Sequence, residues 1–181
     1  MKNENLKKNL RGLTYAAVCL ALALVLPMIT GNIPDIGNML CPMHIPVLLC
    51  GFLCGGLWGA TVGAVAPILR SLIFGRPYLY PAALAMMFEL AVYGLLAGLL
   101  YRGFPKKTGY VYVSLVCAMI GGRAVGGLAQ LVLLGLSGKG MTAAYFFTEY
   151  FVNAWPGILV QLVLIPLAVI ALRRSRLMLN E

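Results

Sequence analysis

Arg70, Glu89 and Arg123 lie inside stretches that are otherwise apolar. From Met43 the chain reads MHIPVLLCGFLCGGLWGATVGAVAPILRSLIFGRPYLYPAALAMMFELAVYGLLAGLLYR. A charge at bilayer depth costs about 2.5–3.5 kcal/mol on insertion scales. It persists by facing a bundle interior or a wet cavity, so such residues mark a functional site. A guanidinium stays protonated and suits a carboxylate or phosphate on a ligand. Two readings stand side by side. Arg70 and Glu89 neutralise each other and leave Arg123 for a ligand, or both arginines face it.

Positioning these groups requires membrane-spanning elements. The chain has 181 residues, of which 61% are hydrophobic and only 10% charged, and its mean hydropathy is +0.91. A soluble domain carries about a quarter charged residues, so this composition belongs to a membrane protein. Length allows one domain, residues 1–181. Apolar runs predict an all-α bundle of six transmembrane helices. They fall at about Leu13–Ile29, two short helices within Ile45–Phe74 that turn near Gly55–Gly59, Ala82–Tyr101, Tyr110–Leu136 and Trp155–Leu172. The second and third are short for a full crossing and could form a re-entrant hairpin instead. The basic start MKNENLKKNLRG precedes an apolar run without a convincing cleavage site, so it reads as a retained first helix.

The net charge of +9 is explained by orientation. Lys2, Lys7, Lys8 and Arg11 precede helix one, Arg102, Lys106 and Lys107 follow helix four, and Arg173, Arg174 and Arg176 follow helix six. With six crossings all of these lie on one face, which the positive-inside rule makes cytoplasmic. Residues 1–11 and 173–181 are then basic cytoplasmic segments, 30–43 is an external loop, and no nucleic-acid partner is implied. In this topology His44 opens helix two at the outer surface, and Arg70 and Glu89 lie in the outer half. Arg123 is near the middle of helix five, and Gln130 lies seven residues further out on about the same face. Glu149 and Asn153 precede helix six, with Gln161 two turns within it. The pattern predicts a cup open to the outside and sealed towards the cytoplasm.

Small residues form the second signal. Gly51, Gly55, Gly59 and Gly63 recur every four residues, and Gly94/Gly98 and Gly122/Gly126 are GxxxG pairs. This spacing lets helix backbones approach closely, here mainly within the bundle. Ala17 and Ala21 form an A-x-x-x-A stripe on helix one with Ala16 and Ala23 beside it, a candidate docking face for another membrane protein. The five cysteines fit no disulfide framework, and Cys50 and Cys54, four apart, lack the further ligands of a metal site.

HIPVLLCGF, the proline–arginine pair in APILRSL, and FELAVYG, in that order, resemble the substrate-binding S components of energy-coupling factor (ECF) transporters. The similarity covers nearly the whole chain. It implies a subunit of the prokaryotic plasma membrane that binds a vitamin from outside. Its partners would be a membrane-embedded T subunit and two ATP-binding cassette ATPases. It also implies that Ala17 and Ala21 contact the T subunit, and that the Thr30–Met43 loop caps the pocket with Asn32 and Asn38 as ligand contacts. The S component has no ATP site and needs no cofactor, and no phosphate loop ending in Gly-Lys-Ser/Thr occurs here. Two intramembrane arginines favour an anionic ligand such as pantothenate or a folate. If Glu89 occupies Arg70, a neutral or cationic ligand such as cobalamin or a pyridoxine-like compound returns to contention.

Two other classes compete. A membrane lipid transferase would present clustered Asp with a divalent metal, whereas this chain has the single Asp35. A stand-alone ion-coupled secondary transporter needs a carboxylate at depth, which Glu89 provides, but no internal repeat is visible.

Overall fold

The structure is a computed structural model that describes residues 2–30, 41–138, 148 and 153–180. Every regular element among the described residues is helical. We label them α1 (Lys2–Thr30), α2 (His44–Cys54), α3 (Gly56–Phe74), α4 (Leu84–Gly103), α5 (Thr108–Leu136) and α6 (Trp155–Arg174). All but α2 are long and apolar enough to cross a membrane. At 1.5 Å per residue, the 11 residues of α2 rise about 16 Å, roughly half the hydrocarbon thickness. The α2–α3 turn, the α4–α5 connection and the C-terminal tail share one end of the bundle, the inner end of the expected topology. His44 starts α2 about 15 Å from that end and is buried.

Two boundaries follow from glycine. The apolar run from Ile45 breaks at Gly55, whose φ of +104° is open to glycine and strained for other residues. α3 ends on Gly75 in the left-handed conformation, its N–H donating to the Ser71 carbonyl at 2.9 Å. α4 is preceded by an irregular turn, Leu79–Ala83, in which Tyr80 is extended as a residue before proline prefers. α1 starts earlier than the apolar run, at Lys2, because its Leu and Lys residues support a helix and no glycine precedes Gly12.

The centre of the bundle is a seam of bare backbone. A methyl group on Gly51 would lie 2.4 Å from the Gly94 carbonyl oxygen, one on Gly63 2.2 Å from that of Leu90, and one on Gly98 2.1 Å from the Gly56 nitrogen. The four-residue glycine spacing thus serves packing among α2, α3 and α4. α5 packs on α4, and α6 on α2 and α5. α1 is peripheral and packs on α2 and α3. Its alanines separate by helical phase. Ala16 and Ala23 are buried with Gly12, Cys19 and Pro27, whereas Ala17 and Ala21 are exposed on the opposite face with Val18 and Val25.

The inner end carries a contact that the sequence did not reveal. Residues 177–180 follow the basic run and fold back onto the α2–α3 turn. The break at Gly55 leaves the last carbonyls of α2 short of helical donors. The Leu179 and Asn180 N–H groups both donate to the Leu53 carbonyl, at 2.9 and 3.1 Å. The Asn180 side-chain amide donates to the Gly98 carbonyl at 2.9 Å and to that of Gly51 at 3.4 Å. Lys106 donates to the Tyr101 carbonyl at 2.6 Å and lies 4.0 Å from the Tyr101 ring centre, and Arg173 donates to the Lys106 carbonyl. The tail is therefore a packed part of the bundle rather than only a basic extension. Asn180→Ala should lower thermal stability in detergent by about 1 kcal/mol, the net contribution of a typical hydrogen bond, since the Gly51 carbonyl keeps the Gly55 N–H. An unchanged melting curve would show that the Asn180 amide contributes nothing to folding.

Candidate functional site

Four polar side chains converge where α2, α4 and α5 meet. His44 begins α2, Glu89 and Tyr93 are one turn apart on α4, and Arg123 sits mid-way along α5. His44, Glu89 and Arg123 are only 4%, 5% and 3% exposed. His44 Nε2 lies 3.5 Å from Glu89 Oε1. The His44 ring meets Tyr93 edge-on with centres 5.2 Å apart. Glu89, Arg123 and Cys41 are within electrostatic reach of the Tyr93 hydroxyl.

The GxxxG pair of α5 makes room for this group. A methyl on Gly126 would stand 2.6 Å from Glu89 Cβ and 3.0 Å from its Oε2. One on Gly122 would stand 2.9 Å from Tyr93 Cδ1. Bare glycines thus let the carboxylate and phenol lie flat against α5. Such burial of ionisable groups is expensive unless they are paired or serve a solute.

Glu89 and Arg70 do not pair with each other. Glu89 faces His44, while Arg70 Nη1 donates to the Leu24 carbonyl of α1 at 3.1 Å. Pro27 has no N–H to give the adjacent Ala23 carbonyl, so the Arg70 bond falls next to the turn that the proline interrupts. The Arg70 guanidinium also lies 5.7 Å from the Phe74 ring centre. The structure therefore brings together His44, Glu89 and Arg123, and ties Arg70 to α1. Gln130 is half-buried higher on α5, and Asn153 is exposed at the start of α6, its N–H donating to the Thr148 carbonyl at 2.8 Å. Asn32, Asn38 and Glu149, with the rim of the expected cup, lie outside the described residues. Sequence reasoning missed Tyr93, although its position four residues after Glu89 puts both on one helix face.

Several buried polar atoms lack a hydrogen-bond partner. His44 Nδ1 and the Tyr93 hydroxyl belong to this cluster, and Ser114 Oγ on α5 and both Nε2 and Oε1 of Gln161 on α6 lie elsewhere in the bundle. Buried polar atoms are normally paired, so each calls for a water or a ligand. Away from this region, a groove of about 350 Å³ at the inner ends of α5 and α6 is lined by Thr108, Ile170, Arg173 and Arg174. Among the described residues, no three His, Cys, Asp or Glu side chains converge as metal ligands.

The family model described as ECF transporter, substrate-specific component, matches residues 11–170. The chain belongs to that family. The searches of curated proteins and of solved structures return no match. The S component is thus a transporter subunit, not an enzyme family member, and its long apolar helices make it a multi-pass membrane protein. All four residues of the buried cluster fall within the matched span, and the Asn180 contact falls beyond it.

Proposed function

We propose that this S component captures an anionic vitamin or related micronutrient, pantothenate- or folate-like, from outside a prokaryotic cell. It hands the solute to ATP-driven uptake with a T subunit and two ATPases. The observation that carries the reading is the buried His44–Glu89–Tyr93–Arg123 cluster in a chain of this family. In this reading Arg123 receives the ligand's carboxylate, because guanidinium pairs strongly with such groups. His44 and Tyr93 supply further hydrogen bonds, and Glu89 is engaged by His44 at 3.5 Å rather than facing the solute alone. Gln130, Asn153, Asn32 and Asn38 are rim contacts. Arg70 is a tether between α3 and α1, and Ala17 and Ala21 are the T-subunit face.

Purified protein should bind one vitamin tightly without ATP, and uptake into vesicles should require the T subunit and ATPases. Uptake by the S component alone, driven by an ion gradient, would replace this reading with a secondary carrier; the depth of Glu89 is the feature that favours that second reading. Arg123→Ala should weaken binding of the anionic vitamin by about 1.5–3 kcal/mol, the range for hydrogen bonds to charged groups. Equilibrium dialysis that finds unchanged affinity in a folded variant would reject the role of Arg123.

A further inference from the structure

Gln161 is fully buried on α6, and neither its amide nitrogen nor its amide oxygen has a hydrogen-bond partner. Leaving either atom unmet costs about 1–3 kcal/mol. A core position that needs only volume would be filled by Leu, as at many neighbouring sites on α6. The carboxamide at 161 therefore calls for a partner that the protein chain itself does not supply.

Its depth points to that partner. Gln161 stands 13 residues from the inner end of α6, about 20 Å. Glu89 stands 14 residues from the inner end of α4, about 21 Å, and Arg123 15 residues from that of α5, about 22 Å. α6 packs directly on α2 and α5, the helices that carry His44 and Arg123. Arg173, bonded to the Lys106 carbonyl, fixes the inner end of α6 to the α4–α5 connection, so these depths share one origin.

A carboxamide offers a donor and an acceptor side by side. One partner satisfies both only if it presents an acceptor and a donor on a single edge, as a lactam, a cyclic urea or an aminopyrimidine ring does. A carboxylate has no donor and cannot do so. A secondary amide in an open chain is trans and points its N–H and C=O in opposite directions. A hydroxyl beside a carbonyl, as in pantothenate, forms such an edge only in some rotamers, whereas a ring holds it fixed. We infer that Gln161 is a specificity residue of the ligand site, and that it pairs with a cyclic amide-like or aminoheterocyclic edge of the transported solute. This rests on the function proposed above and narrows it. The solute carries an anionic group for Arg123 and a lactam-type edge for Gln161, which favours a folate-like molecule over pantothenate.

The test uses the full purified chain and six probes: folic acid, biotin, riboflavin, thiamine, pantothenate and pyridoxine. The tightest binder should be folic acid or biotin, which carry both such an edge and a carboxylate for Arg123. Gln161→Leu should weaken that binder about 30-fold or more, while raising the melting temperature of the ligand-free protein, since two unmet buried atoms disappear. Gln161→Met is read in the same way should the leucine variant not fold. Selection of riboflavin, thiamine, pantothenate or pyridoxine overturns the inference. An affinity within about threefold of the unaltered chain in either variant also overturns it, because a trapped water then satisfies Gln161. Both of those results leave the vitamin reading standing. Binding of none of the six by the unaltered chain brings down that reading and this one together.

Discussion

Gly94→Val leaves no folded S component to purify. A Cβ at this position would lie 2.2 Å from the Gly59 carbonyl carbon, 2.3 Å from its oxygen and 2.8 Å from its Cα. These are backbone atoms of α3, which cannot swing aside as a side chain can. α2 blocks retreat on another side, because a methyl on Gly51 already stands 2.4 Å from the Gly94 oxygen. Overpacking a core costs 1–3 kcal/mol where side chains can adjust, so a clash on main chain should cost about 3 kcal/mol or more. That is a large share of the stability of a typical domain. Gly103→Ala is the control, since nothing lies within 4 Å of a methyl there. Gel-filtration yield and thermal melting of the two variants check the expectation. A monodisperse Gly94→Val protein with an unshifted melting curve would contradict the close approach of α2, α3 and α4.

Ala21→Trp, and likewise Ala17→Trp, should separate binding from transport. Both alanines are exposed on the face of α1 opposite the one that packs on α2 and α3. An indole there touches no core residue, and surface changes of this kind stay within about 0.5 kcal/mol. Vitamin affinity should therefore hold within about twofold, the equivalent of that energy. Close approach of a partner helix depends on small side chains and should be blocked. In vesicles that also contain a T subunit and both ATPases, uptake should fall to background. Uptake at the unaltered rate would mean that α1 docks through another surface or not at all.

The helices were legible because apolar run length and glycine breaks act locally. The turn at Gly55 and the ends of α5 sit where the sequence puts them. The polar residues of the site were legible as exceptions within those runs. Their pairing was not. Arg70 follows Gly63 by seven residues, so helical phase aims it at α4 as readily as at α1. The outcome depends on the Leu24 carbonyl of α1, which belongs to a distant segment. His44 opens α2 as the sequence reads, but its approach to Glu89 and Tyr93 depends on α4, a separate segment. The tail was hidden for a different reason. RRSR reads as solvated, and only the apolar Leu177, Met178 and Leu179 behind it hint at a return to the bundle. The carbonyls that Asn180 meets leave no trace in composition.

The joint among α2, α3 and α4 is built from main-chain atoms at Gly51, Gly59, Gly63, Gly94 and Gly98. Histidine, glutamate and tyrosine project from two of these same helices, but the joint does not depend on what they are. A descendant gene could exchange all three for residues suited to another nutrient and keep the scaffold's geometry intact. Diversification of cargo and preservation of shape are thereby assigned to separate atoms of one short polypeptide.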